Sequence, residues 1–355
     1  MSKVKANRPE RRTAEGTAAG VIDTISDAVT FVVQRPWLML VPIVIDLILW
    51  LALRVTLGPV IENLIELMRS SNVEGSDQII EQLEASGDQV MISDYLGAFV
   101  PGLLTGMSLD TVMGILMLFV APDGFGLIRA DIYEPWQNGF VDSIVPDSSF
   151  TVLLVWIGVT LVSSVALILY RVPMARAIRG TRPTSLGQEM TRSWLNFILY
   201  LLLLVVVGFA SLIPLALLTV LIPILGLSVA FVMSFALLIF GGMIGVYTLF
   251  AVDAMLIHRT SPMNGFRMSY AVGREYFGQV ARFALTSIFL MLATGKLWSE
   301  IAESAPGFVI SLIGSAFVGT VLVAASMMYY TDRLRLVRAA EAGRRNLPAR
   351  GRRTN

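Results

Sequence analysis

Residues 194–255 read WLNFILYLLLLVVVGFASLIPLALLTVLIPILGLSVAFVMSFALLIFGGMIGVYTLFAVDAM, 62 positions with no lysine, arginine or histidine and one acid, Asp253. A membrane span takes about 20 residues. Three spans would leave nothing for turns, whereas two fit with a turn near Pro223 and Gly226, so this stretch predicts spans over 194–222 and 224–255. The whole chain agrees with that reading: 55% of its 355 residues are apolar and 15% are charged, against about 25% charged in soluble domains. An ordinary soluble protein is excluded.

Working outward, further apolar runs lie at 37–57, 150–170, 283–298 and 307–330, which makes six spans. The first follows 36 residues that hold Lys3, Lys5, Arg8, Arg11, Arg12 and Arg35. It reads as a signal anchor, because the prelude is long and no small-residue cleavage pattern follows.

Basic residues provide a separate test, since cytoplasmic loops retain Lys and Arg. With the N-terminus inside, the segments 1–36, 171–193, 256–282 and 331–355 hold 23 of the 27 basic residues. Arg69 and Arg129 fall in the long outer loop, while Arg54 and Lys296 sit near outer span ends, where their stems reach the headgroups. The segment 96–121 is apolar but contains Pro101, Gly102, Gly106 and Asp110. Were it to cross, every later basic loop would face outward, so it reads as interfacial or capping. The 16-residue run 283–298 spans roughly 24 Å at the helical rise and is kept as a span on the same charge argument.

The predicted fold is therefore an all-α integral membrane protein of six transmembrane helices, arranged as three hairpins. A cytoplasmic amphipathic lead-in introduces each hairpin, at 21–33, 185–194 and 263–280. In the first, Val21, Ile22, Ile25, Ala28, Val29 and Val32 form one stripe. The outer insertion 58–149 reads as largely helical, and it carries fourteen acids against two arginines. Solubility and the exclusion of basic residues from translocated loops account for that charge; a cation site or a protein partner for the acidic loop is the alternative. Phe125, Tyr133, Trp136 and Phe140 precede the second span as an interfacial aromatic belt. The tail 331–355 is basic and reads as disordered, with anionic lipid at the cytoplasmic face as its contact. It offers no aromatic platform or folded basic surface for nucleic acid.

Scarce residues narrow the chemistry. The absence of cysteine excludes disulfides, thiolate metal sites and cysteine nucleophiles, and the single histidine, His258, excludes histidine-pair metal sites. No phosphate-binding loop, dinucleotide fingerprint or zinc-protease motif occurs. No catalytic constellation, metal site or cofactor is expected.

Asp46, in mid-span 1, is the only acid well inside a predicted span, and with Arg54 it forms the candidate intramembrane functional pair. Burying such a carboxylate costs about 2.5–3.5 kcal/mol on insertion scales, so it should face the bundle. The structural reading of Asp46 stands beside a transport or relay reading. Gly241 with Gly245, and Ser311 with Ser315 and Gly319, have the four-residue spacing of helix-packing seams.

Ala251, Val252 and Asp253 end one span, Ser269 follows in the basic segment, Phe283 begins the next span, Pro306 and Gly307 mark its outer turn, and Tyr329, Tyr330 and Asp332 close the last. With these residues, the region from about 194 to 335 resembles the polytopic membrane domains of uncharacterised bacterial and archaeal proteins. The glycerophosphoryl diester phosphodiesterase membrane-domain type is among them. In members named for the phosphodiesterase, catalysis belongs to a separate soluble barrel, which this chain lacks. The resemblance thus implies a membrane module without phosphodiesterase activity. The expected function is a non-enzymatic multi-pass plasma-membrane protein serving assembly, scaffolding or envelope homeostasis; the alternative is a transporter or channel subunit using Asp46.

Overall fold

The computed structural model describes residues 19–51, 65, 66, 69, 70, 149–180, 185–224, 242–302 and 304–346. Nearly all of the expected outer insertion 58–149, with the segment 96–121 expected to be interfacial, and Arg54 lie outside these residues. Among the described residues the ordered elements are helices, with no strand. In chain order they are α1 (Val21–Val33), a 3-10 turn (Pro36–Met39), α2 (Leu40–Leu51), α3 (Ser149–Arg179), α4 (Leu186–Ile224), a helical stretch 242–248 leading to α5 (Ala251–His258), α6 (Pro262–Glu275), α7 (Phe277–Ile301) and α8 (Ala305–Asn346).

Among the described residues, four helical stretches are long and apolar enough to cross a membrane: Leu153–Arg179, Leu186–Val207, Phe277–Trp298 and Ala305–Ala342. The segments Val21–Val33 and Pro36–Ile48 make a fifth if counted together, but they meet at a bend of 96°. Pro36 lacks an N–H and fixes its own φ, which favours a new helical start over continuation of α1. Outward-facing Phe150, Leu153, Leu154 and Leu161 on α3, Leu199, Leu202, Val205 and Val206 on α4, and Leu285 and Phe289 on α7 are exposed. These are the faces a bilayer would cover.

Helices here outrun the apolar stretches that announced them. The lead-in 185–194 is no separate helix: it continues into span 3 within α4. Residues 331–346, expected as part of a disordered tail, are the end of α8, a single helix of 42 residues. At 1.5 Å per residue it measures about 63 Å, roughly twice the hydrocarbon thickness. Helix formation needs only the i to i−4 backbone bonds, so it does not stop where apolar side chains do. α1 packs along α8 and buries Thr24, Ala28 and Val32, four residues apart. Ile22, placed on the same stripe by periodicity, is instead 79% exposed. Arg333 of α8 is buried and secures this contact, donating from Nη2 to the Ala19 carbonyl at 2.9 Å while its guanidinium lies 4.6 Å from the Tyr329 ring centre.

The core sits where α5, α7 and α8 converge. Phe283 stacks on Tyr329 with ring centres 4.5 Å apart, and Phe250 lies 5.7–6.1 Å from Phe283, Tyr329 and Tyr330. Aromatic pairs of this kind contribute about 0.5–1.5 kcal/mol each beyond area burial. α6 crosses α5 closely at Gly265, where a Cβ would meet Met255 Cγ at 2.5 Å and the Ala251 carbonyl oxygen at 2.9 Å.

The helix entering α5 is interrupted at residues 249 and 250. Such a break frees backbone groups that need partners where water is scarce. Ser269, fully buried on α6, serves both sides of it: its hydroxyl accepts the Phe250 N–H at 3.2 Å and donates to the Tyr247 carbonyl at 2.7 Å.

Candidate functional site

The polar side chains worth attention gather where α3 ends, α4 begins and α5 turns into α6. Arg176 and Arg179 lie on the last two turns of α3, Glu189 on the first turn of α4, and Arg259 immediately after α5. Arg259 holds a left-handed backbone, φ 52°, as the residue that caps α5. Ser261 and Pro262 then open α6, proline being preorganised for a first helical turn. The turn therefore carries the Arg259 side chain back toward α4.

Glu189 lies at the centre of these arginines, with 4% of its side chain exposed. Arg259 donates from Nε to Oε1 at 3.0 Å and from Nη2 to Oε2 at 2.8 Å. Arg179 donates from Nη2 to Oε1, and Arg176 Nε stands 3.4 Å from Oε2. Bidentate Arg–carboxylate pairs are among the stronger and more directional polar contacts. One acid thus ties the end of α3 and the α5–α6 turn to the start of α4. Asn196 reinforces the link by donating to the Thr260 carbonyl at 3.3 Å.

A second cluster lies deeper. Asp253 on α5 is 1% exposed, accepts from Arg171 Nη1 of α3 at 3.2 Å and from the Ser326 hydroxyl of α8 at 2.5 Å. Three helices meet at this carboxylate. Its arginine partner lies 82 residues away in the chain. Asp332 does pair locally, with Arg335 at 3.7 Å on the exposed side of α8.

His258, the last residue of α5, lies edge-on to Tyr330 at 5.9 Å between ring centres. Burial, then the charges of Arg338 and Arg179, hold its imidazole below the ordinary value of 6.5. That favours the neutral ring, as expected for a base in positive surroundings.

The candidates named from sequence fall elsewhere. Asp46 is fully buried on α2, while Arg54 and Gly241 lie outside the described residues. Gly245 has nothing within 4 Å of where a Cβ would stand. Ser311 is buried and donates to the Trp298 carbonyl at 2.9 Å, linking α8 to α7; Ser315 donates to Leu312 of its own helix at 3.1 Å, and Gly319 is buried. The close approach in this region is at Gly314, where a Cβ would meet the Trp298 ring at 2.5 Å.

Sequence reasoning passed over Glu189. Its signal was present: it is the only acid among the five arginines of 171–193. Asp253, Ser269, Phe283, Tyr329 and Tyr330 are all buried. Comparison with known protein families, with curated proteins and with solved structures finds no match for this chain.

Proposed function

We propose that this chain is a non-enzymatic multi-pass protein of a bacterial plasma membrane, six spans in three hairpins with both termini cytoplasmic, acting in assembly, scaffolding or envelope homeostasis. The observation that carries this reading is the use made of buried charge. Glu189 and Asp253 are both bonded to arginines from other helices, an arrangement that holds helices in register rather than presenting an acid or base to a substrate. Clustering of arginines at this end of the helices supports a cytoplasmic position for it. The resemblance to polytopic membrane domains fits the same reading, since it implies a membrane module.

Topology is tested by alkaline phosphatase fusions. Activity after Gly75 and silence after Gly180 are expected; the reverse pattern would overturn the orientation. Copurification in mild detergent, followed by identification of bound protein, tests the scaffolding role, and recovery of the chain alone under crosslinking would count against it.

Full burial of Asp46 favours a second reading, a transporter or channel subunit, because ionisable groups inside the bilayer often mark ion pathways. Retention of every proton- or ion-coupled phenotype by Asp46→Asn would remove its support.

A further inference from the structure

Among the described residues, positive charge exceeds negative charge around Glu189, and donors exceed acceptors. The ion pairs of Arg179 and Arg259 both end on that one carboxylate, so two positive charges meet one negative charge before Arg176 is added. Each guanidinium carries five N–H donors, whereas a carboxylate offers about four acceptor positions. Arg179 directs its Nε to the Ala175 carbonyl at 3.3 Å and Nη2 to Glu189; Arg259 directs Nε and Nη2 to Glu189. Among the described residues, donors on both remain for a further acceptor.

Backbone geometry adds a separate observation. Arg259 is the only non-glycine residue with positive φ among those described, at a helix end where glycine or asparagine is the usual occupant. Holding a side chain there costs backbone strain that a glycine would avoid. Of the three arginines it is also the most open, 33% exposed against 13% and 12% for Arg176 and Arg179. The cluster therefore has an inner side closed by Glu189 and an outer side through Arg259.

We propose that Arg176, Arg179 and Arg259 form a binding site for a phosphate group, with Glu189 as the internal counter-charge that orients the guanidiniums. Planar guanidinium forks match phosphate oxygens and bind them through short, charge-assisted bonds. The phosphate comes from an anionic lipid headgroup or from a free phosphate, and the binding chemistry is the same for both. This site deepens the membrane reading above, which would set it at the level of the inner headgroups.

The full chain in neutral detergent tests the proposal without reference to orientation, so its failure is distinct from a failure of the fusion pattern. Three probes are titrated by native mass spectrometry and thermal shift: inorganic phosphate, short-chain phosphatidylglycerol and short-chain phosphatidylcholine. Saturable binding of phosphatidylglycerol alone assigns a headgroup site; comparable binding of inorganic phosphate assigns a free-phosphate site. Arg259→Gln should weaken the bound probe about tenfold or more, the loss of a charge-assisted hydrogen bond, and Arg259→Lys should fall between. Removal of an equal charge at exposed Arg335, by Arg335→Gln, should leave binding unchanged. Three results would overturn the site: no saturable binding of phosphate or phosphatidylglycerol by the unaltered protein, equal binding of phosphatidylcholine, or equal losses in Arg259→Gln and Arg335→Gln.

Discussion

Arg259 grips both carboxylate oxygens of Glu189, at 3.0 and 2.8 Å, across 70 residues of chain and from a left-handed backbone position. The contact fixes the start of α4 against the turn after α5, and it does so with a carboxylate that two further arginines also approach.

Removing that carboxylate is expected to leave the arginines repelling one another. Glu189→Gln should destabilise the protein by about 3–5 kcal/mol, the usual effect of stripping one partner from a buried charge cluster. Combined with Arg259→Gln, the loss should be smaller than the sum of the two single losses, because the second substitution relieves the repulsion left by the first. Thermal unfolding of the four proteins in detergent measures this, and strict additivity would show that the two side chains do not interact.

Asp253 and Arg171 make a sharper test. Asp253→Leu alone leaves a guanidinium facing the core without its counter-charge, a loss of about 3–5 kcal/mol. Adding Arg171→Leu should recover most of that stability, since apolar pairs often replace buried ion pairs without penalty. If the double variant were no better than Asp253→Leu, the ion pair would not be what makes the single substitution harmful.

The interrupted helix before α5 depends on one hydroxyl. Ser269→Ala should cost about 1–3 kcal/mol, because the Phe250 N–H and the Tyr247 carbonyl both lose their partner. Amide hydrogen exchange should rise at Phe250 specifically; unchanged protection there would show that the serine is not its partner.

His258 sets a pH dependence whose sign follows from its lowered folded value. As pH falls through the ordinary value of 6.5, the unfolded chain takes up a proton before the folded one does. Stability from this group is therefore present above that pH and declines on acidification until the folded value is passed. Melting temperatures at pH 7.5 and 5.5 should differ less in His258→Phe than in the unaltered protein, and an equal difference would assign the effect to other groups.

Much of the helical layout was legible in the sequence. The runs at 150–170, 194–222, 283–298 and 307–330 each fall within a helix long and apolar enough to cross a membrane. Boundaries were less legible. Apolar character ends at residue 330, but the backbone of α8 continues to Asn346, with α1 packed along it and Arg333 of α8 bonded to the Ala19 carbonyl. Conversely, apolar character runs unbroken through residues 249 and 250, where the helix is interrupted and Ser269 supplies what its backbone lacks.

By itself, then, the sequence determined the properties that depend on near neighbours: helix over strand, apolar stretches of membrane length, and the crowding of arginine at the ends of those stretches. Tertiary structure alone decided which arginine meets which acid. Glu189 and Arg259 are 70 residues apart, Asp253 and Arg171 are 82, and neither periodicity nor composition carries information over such separations. A buried carboxylate must find a counter-charge, but the identity of that partner follows from how helices pack, and packing is set by shape at positions such as Gly265 that composition does not distinguish from the other 28 glycines.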